Sequence, residues 1–248
     1  EDIQLIQNDT KTCPDTGMAG ASRSLYMDGN ATIIAANKLL AAMRKEDGTL
    51  RTYDEMKAEG IETKYLGRYE TNTTPGLCRL DPNTGIGDPT PAFTYCLNLA
   101  EVEVDTKTGK TTVLKFTCVD FVGRIGNIDA VNGQAYSGIM HGIGFALKED
   151  YADVKKHANM FGAGTSYIKD VPDDINLIHI DGAISDGPFG SSGASEAFQA
   201  SGHCAVLNGI YNACGVRIHE IPALPEKVKA GLDAIAKGEK PYEPKKYF

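Results

Sequence analysis

Two clusters of glycine and serine, each directly followed by a predicted helix, restrict most strongly which local structures this chain can form. The first runs Thr16-Gly-Met-Ala-Gly-Ala-Ser-Arg23, and the second runs Asp186-Gly-Pro-Phe-Gly-Ser-Ser-Gly-Ala-Ser195. A glycine-rich turn lets the backbone approach a ligand, and a helix N-terminus presents unpaired N–H groups to an anion. The first cluster fits a phosphate-bearing ligand, and it also fits a solvated loop that caps a helix.

The rest of the chain combines helical and strand-like patterns. Apolar spacing predicts helices at residues 31–44, 52–60, 133–151, 196–213 and 225–237. Alternation predicts strands at 3–6, 97–104, 111–122 and 176–180, with Gly109 in the turn between the second and third of these. Residues 68–92 are rich in turn-forming residues and are predicted to be loop. The sequence therefore predicts a mixed α/β (α+β) fold without internal repeats.

Composition excludes several classes of function. A net charge of -8, without a cluster of Lys and Arg, argues against a nucleic-acid groove. No apolar run approaches membrane-spanning length. The six cysteines lack the spacing of a metal site and are interpreted as reduced, mostly buried residues. Gly142-Ile-Gly144 lacks the rest of a dinucleotide fingerprint, which disfavours NAD binding.

Glu196 stands on the first turn predicted for the helix that follows the second cluster. A carboxylate at that place is stabilised by the helix dipole, and this alone would explain its presence. It could instead act as a general base that points into a site built from the loop. The residue pattern leaves both interpretations open.

The same segments, in the same order, resemble the xanthine oxidase family of molybdenum hydroxylases, and within it the molybdopterin-dependent aldehyde oxidoreductases of sulfate-reducing bacteria. The matching landmarks are Cys13-Pro-Asp-Thr-Gly-Met-Ala-Gly-Ala-Ser-Arg, Tyr53-Asp-Glu-Met-Lys-Ala, Gly133-Gln134, Gly142-Ile-Gly-Phe-Ala-Leu-Lys-Glu-Asp, Asp186-Gly-Pro-Phe-Gly-Ser-Ser-Gly and Ala213-Cys-Gly-Val-Arg-Ile. Several long motifs at matching distances are far more specific than any one of them.

The resemblance implies a fold, a cofactor and roles for particular residues. It implies that residues 1–237 are the C-terminal portion of a molybdopterin-binding domain and that 238–248 form an extended tail. Molybdopterin, in the cytosine dinucleotide form, would carry the molybdenum, with no metal ligand from protein side chains. The cofactor-binding residues would be Ala19, Gly20, Ala21, Ser22, Arg23, Ser24 and Gln134, and Glu196 would be the base.

The implied reaction is oxidation of a small aldehyde to a carboxylic acid, with water as the oxygen source. Partners would be the remainder of the molybdenum-binding region and an iron–sulfur domain or subunit with [2Fe-2S] clusters, in a cytoplasmic oligomer. The chain begins at Glu1 like the middle of a protein, which suggests cleavage or a piece of a longer chain. The alternatives are hydroxylation of a purine, an N-heterocycle or an aromatic acyl thioester, or a non-catalytic assembly subunit.

One departure from the family pattern concerns the segment around Glu196. The family has Gly-Val-Gly-Glu followed by Leu-Pro or Pro-Pro, whereas this chain has Gly193-Ala-Ser-Glu196-Ala-Phe-Gln. Ser195 replaces a glycine, and the following proline is absent. The difference bears on substrate specificity and on the pose of Glu196.

Overall fold

The computed structural model describes residues 3–6, 9–71, 79–88, 90, 92–184 and 186–240. They divide into two compact units, made of Glu1–Phe93 with Ala183–Gly193 and of Thr94–Gly182 with Ala194–Phe248. We call them unit 1 and unit 2. Most of the tail predicted at 238–248 lies outside the described residues, and the assignment of 1–237 to one domain stays a prediction.

Unit 1 is organised around the helix α1 (Ser24–Met43), which begins before the predicted 31–44. The sequence missed its first turns because Gly29 and Asn30 are poor helix formers. Gly29 is required by packing, since a β-carbon there would lie 2.4 Å from the ring of Pro188. The predicted strand at 3–6 is wrong, because these residues are exposed and form no strand.

Two smaller elements of unit 1 follow α1. The helix α2 (Tyr53–Ala58) begins with a capping box, in which Thr52 and Glu55 each bind the other's backbone N–H, and this confirms the predicted cap. Two short strands, β1 (Arg79–Leu80) and β2 (Gly87–Asp88), pair antiparallel inside the segment predicted to be loop. The loop prediction therefore missed this pair.

Unit 2 contains a three-stranded sheet. The strands β3 (Tyr95–Val104) and β4 (Thr111–Phe121) pair antiparallel, and Gly109 in their turn has a φ of +78°, as predicted. The strand β5 (Asp174–His179) pairs with β4 in parallel, which gives the order β3-β4-β5. The side chains of Phe116 and Cys118 on β4 lie on one face of the sheet, which packs into the core.

Helices cover that face of the sheet. They are α3 (Ile128–Leu147), α5 (Ser195–Ala200), α6 (Gly202–Cys214) and α7 (Pro225–Ala236), while the short helix α4 (Met160–Ala163) contributes no residue to the core cluster. Ile139, Ile143, Phe198, Val206 and Ile210 form the centre of the core, each at most 1% exposed. Within the ranges described, no helix is long and apolar enough to cross a membrane.

The helix predicted at 196–213 is in fact two helices, α5 and α6. Ser201 breaks it with a φ of -118° and a ψ of -1°, and its hydroxyl accepts a hydrogen bond of 2.9 Å from the side-chain amide of Asn98. At the start of α6, Gly202 approaches α3 so closely that a β-carbon on Gly142 would lie 2.9 Å from its Cα. Tertiary contacts cause this break, which explains why helical spacing did not reveal it.

Candidate functional site

The first glycine-serine cluster leads into α1 with an unusual backbone. Ala21 and Ser22 have φ values of +55° and +54°, and Arg23 returns to the right-handed conformation at -78°. Left-handed conformations are costly for residues with a β-carbon, and they concentrate at functional sites. A change of hand between successive residues occurs in backbone nests that bind anions. Here the Arg23 N–H donates to the Gly20 carbonyl oxygen at 3.3 Å, so the backbone donors for an anion are those at the start of α1.

Polar side chains surround this strained turn. Ser24 is the first residue of α1 and is exposed, and α1 has no acidic residue in its first turn. The Arg23 guanidinium donates a hydrogen bond to the Met18 carbonyl oxygen, which ties the cation to the loop. A guanidinium carries five N–H donors, so this bond leaves Arg23 donors for an anionic group. The turn can therefore bind phosphate by backbone, hydroxyl and guanidinium donors together.

Residues 186–193 of the second cluster belong to unit 1, where they pack against the first cluster. A β-carbon on Gly193 would lie 2.0 Å from the Ser22 carbonyl oxygen, so only glycine allows this approach. Phe189 is a further non-glycine residue with a positive φ, at +56°, and its side chain is exposed. The two clusters thus form one paired structure rather than two independent loops.

A hydrogen bond between α1 and the second cluster reinforces this pairing. The Tyr26 hydroxyl donates to the Asp186 carboxylate at 2.5 Å, and the Tyr69 hydroxyl lies 3.3 Å from that of Tyr26. Burial raises the pKa of Tyr26 far above its usual value, and the bond to Asp186 raises it further. Tyr26 therefore stays neutral and keeps its proton for Asp186.

Unit 2 carries the other predicted site residues. Gln134 lies on α3, while Ser195 and Glu196 are the first two residues of α5, and all three are exposed. The Ser195 hydroxyl donates a hydrogen bond to the side-chain oxygen of Gln134. The residue that departs from the family pattern thus contacts the predicted cofactor-binding glutamine. The sequence held no indication of this contact, because 61 positions separate the two residues.

Close packing fixes α5 on α3. A β-carbon on Gly138 would lie 2.5 Å from the β-carbon of Phe198, whose side chain is completely buried. Because α5 has only six residues, Glu196 begins a short helix rather than the longer one expected. Packing against α3 therefore fixes the position of the helix on which Glu196 lies.

A buried polar network anchors the first turns of α3. The His179 ring binds the Asp120 carboxylate through Nδ1 at 2.6 Å and the Asn132 side-chain oxygen through Nε2 at 2.7 Å. Asp120 is 1% exposed, and burial raises its pKa although the bond to His179 opposes the rise. The network links β4 and β5 to the turn of α3 that carries Gln134, and sequence spacing gave no indication of it.

The structure therefore groups the predicted residues in two sets. Unit 1 brings residues 19–24 together with Gly193, and unit 2 brings together Gln134, Ser195 and Glu196. Among the described residues, no three or more His, Cys, Asp or Glu side chains are arranged to hold a metal ion.

Comparison with known proteins identifies the family. A sequence model of the molybdopterin cofactor-binding domain matches residues 1–172. The aldehyde oxidoreductase of Megalodesulfovibrio gigas is 42% identical over 234 residues, which cover 94% of this chain and 26% of that protein. The crystal structure of the aldehyde oxidoreductase from Desulfovibrio desulfuricans matches with a TM-score of 0.84 and 45% identity, over 91% of this chain and 24% of that one.

A more distant relative is a probable hypoxanthine oxidase of Escherichia coli K12, 28% identical over 250 residues, which cover 95% of this chain and 26% of that protein. The chain thus spans about a quarter of the length of the relatives that it matches. It belongs to the molybdopterin cofactor-binding domain family and, with it, to the xanthine oxidase family of molybdenum enzymes.

The residues present fit a cofactor with a phosphate-bearing tail. The strained turn at Ala21 and Ser22 presents backbone and side-chain donors at the start of a long helix. Gly193 lets the second cluster pack directly against the Ser22 backbone, which supports this turn. An anionic ligand is what such an arrangement binds.

Proposed function

We propose that this chain forms part of a molybdenum-dependent enzyme that oxidises aldehydes to carboxylic acids with water as the oxygen source. The observation that carries the proposal is 42–45% identity to two aldehyde oxidoreductases over at least 91% of the chain. Identity to the probable hypoxanthine oxidase is only 28% over a similar span. The difference favours an aldehyde over a purine as the substrate.

Residues of the two units have different roles in this proposal. The turn formed by residues 19–24 binds the pterin and its phosphates, since it presents donors from the backbone, the serine hydroxyls and Arg23. Gln134 donates a hydrogen bond to the cofactor through its amide N–H groups, because its side-chain oxygen already accepts from Ser195. When bound, the molybdenum centre would supply Lewis acidity and an acceptor for two electrons.

Glu196 is the general base of the proposed reaction. Its carboxylate is exposed at the start of α5, next to Ser195, and is free of the burial that would prevent its reaching a substrate. It takes the proton from the water-derived oxygen as that oxygen attacks the aldehyde carbon, and it passes the proton to solvent. The packing of Phe198 on Gly138 holds in place the helix that carries Glu196.

Further parts of the proposal rest on the family resemblance. They are the cytosine dinucleotide form of the cofactor, [2Fe-2S] clusters on another domain or chain, and an oligomer in the cytoplasm. Residues 1–237 would act as the C-terminal portion of the molybdopterin-binding domain, with 238–248 as its tail. The remaining three quarters of the relatives' length would supply the other walls of the site.

One experiment tests the proposal against its alternatives. The complex that contains this chain is purified, its molybdenum and pterin are quantified, and its activity is assayed with aldehydes, purines, N-heterocycles and aromatic acyl thioesters. We expect stoichiometric molybdenum and pterin and turnover of aldehydes. If the complex contains molybdenum but turns over only another class of compound, that class is the substrate and the aldehyde proposal is wrong. If the complex lacks molybdenum and pterin even after reconstitution, the chain belongs to a non-catalytic assembly subunit.

A further inference from the structure

Two cysteines of unit 2 lie against each other between neighbouring strands. The Sγ atoms of Cys96 on β3 and Cys118 on β4 are 3.4 Å apart. Asp120 is the register partner of Cys96, and Asn98 that of Cys118, so the two cysteines are diagonal neighbours on one face of the sheet. Both thiols are free, Cys118 is completely buried, and Cys96 is partly exposed.

The two thiols are chemically unequal. A hydrogen bond from Cys118 lowers the pKa of Cys96, although burial and the Asp120 carboxylate oppose this. The same hydrogen bond raises the pKa of Cys118, and burial adds to the rise. Because the thiolate is the nucleophilic form, the accessible sulfur is also the more reactive one. Cys96 is thus suited to react first and Cys118 to react second.

The two sulfurs are close enough to be joined, but the disulfide would strain the sheet. A disulfide requires about 2.05 Å between its sulfurs, so from 3.4 Å they must approach by roughly 1.3 Å. Diagonal neighbours have Cα atoms about 7–8 Å apart, slightly beyond the usual range for a disulfide. The bond must therefore pull β3 and β4 together, and strained disulfides are readily reduced.

We propose that Cys96 and Cys118 form a reversible oxidation site that a hydroperoxide closes to a disulfide. The Cys96 thiolate attacks one peroxide oxygen, the O–O bond breaks, and the leaving hydroxide or alkoxide takes a proton. The Cys118 sulfur then attacks the sulfenic acid sulfur of Cys96, and a water leaves with the Cys118 proton. The dithiol loses two electrons, and the peroxide receives them. This inference is independent of the proposed molybdenum chemistry.

Mass spectrometry tests the proposal directly. The full chain is reduced, desalted and exposed to hydrogen peroxide, its remaining thiols are alkylated after unfolding, and it is digested without reductant. We expect a peptide pair joined through Cys96 and Cys118, two fewer alkylated cysteines, and reversal by dithiothreitol. The bond should form before the exposed Cys204 is oxidised, because Cys204 lacks a thiol partner among the described residues.

Two kinds of variant make the outcome decisive. Cys118→Ser should abolish the link and leave Cys96 as a sulfenic acid that dimedone traps, while Cys204→Ser should keep the link. Cys96→Ser, which changes only the partly exposed thiol, is the second test if Cys118→Ser alters the circular dichroism spectrum. Complete alkylation of both Cys96 and Cys118 after Cys204 has been oxidised would overturn the proposal, and so would a link from Cys96 to any other cysteine.

Discussion

The carbonyl oxygen of Ser22 lies 2.0 Å from the point that a β-carbon on Gly193 would occupy. Within unit 1, the contact joins the first glycine-serine cluster to residues 186–193 of the second through their backbones. Since backbone cannot move aside as a flexible side chain does, this position excludes every residue except glycine. The paired clusters therefore form one structure, and a substitution that disrupts this contact should alter the conformation of both.

Gly193→Ala should destabilise unit 1 by about 1–3 kcal/mol, the usual cost of overpacking a tight contact. We also expect the purified complex to retain less molybdenum, because the Ser22 turn must shift. Thermal unfolding and metal analysis measure the two effects. Gly126→Ala is the control, since nothing lies within 4 Å of its added carbon. Equal stability and metal content in the two variants would contradict the role of this contact.

Glu196→Gln should lower turnover about a hundredfold or more while the cofactor stays bound, the range expected for loss of a general base. Steady-state kinetics and molybdenum content of the complex provide the test. Glu226→Gln is a matched control, because Glu226 is likewise an exposed second residue of a helix, α7, with no role in the proposed site. Near-normal turnover of Glu196→Gln would show that Glu196 is not the general base.

Ser195→Ala should retain the cofactor and lower kcat/KM by up to about tenfold, since a hydrogen bond contributes about 0.5–1.5 kcal/mol. The expected cause is loss of the bond that orients the Gln134 amide. Ser195→Thr keeps a hydroxyl and should recover most of the activity. Wild-type kinetics of Ser195→Ala, together with impaired turnover of Gln134→Ala, would show that Ser195 does not orient the Gln134 amide.

Gly138→Ala should move α5 away from α3, because the new methyl group would meet Phe198 at 2.5 Å. The expected cost is about 1–3 kcal/mol of stability, together with lower turnover from a displaced Glu196. Thermal unfolding and kinetics are compared with Gly133→Ala on the same helix. No atom lies within 4 Å of the added carbon there, and alanine favours a helix, so that variant should be at least as stable as the wild type.

Asp170→Asn should make unit 2 less stable at neutral pH but not at low pH. Burial alone would raise the pKa of Asp170, but hydrogen bonds from Lys148, at 2.5 Å, and from the Tyr167 N–H outweigh it and lower the pKa. The lowered pKa means that Asp170 stabilises the fold above the ordinary carboxyl value of 3.8 and loses this effect as pH falls further.

The expected loss for Asp170→Asn at pH 7 is about 1 kcal/mol, the typical value of one hydrogen bond. Chemical denaturation at pH 7 and at the lowest pH that keeps the fold measures the difference. Asp233→Asn breaks an exposed pair with Lys229 on α7 and should change little. A destabilisation of Asp170→Asn that is independent of pH would show that the carboxylate charge is not responsible.

Local patterns were predictable from the sequence, whereas tertiary ones were not. The Thr52–Glu55 capping box and the turn at Gly109 depend on residues close in the chain, and both were confirmed. The glycine at position 29 of α1 packs on the distant Pro188, and the break at Ser201 lies beside Asn98 and Gly142. No spacing rule includes such distant partners. The discontinuous unit 1 was hidden for the same reason.

For the candidate site, the family resemblance supplied the residues and the structure added their surroundings. The motifs named residues 19–24, Gln134 and Glu196, but they could not show the positive φ of Ala21 and Ser22. They also could not show that Ser195 contacts Gln134, because a hydrogen bond between distant residues leaves no periodic trace.

The parallel pairing of β4 with β5 has a kinetic consequence. Residues 122–173 lie between the two strands, so no local turn can bring them together. Closing that long loop costs conformational entropy before the paired strands can stabilise the fold, and we therefore expect slow folding. Until the strands pair, Ile175 and Leu177 expose an apolar edge that invites aggregation. Production of this chain should accordingly benefit from low temperature or added chaperones, which give β5 time to reach its place.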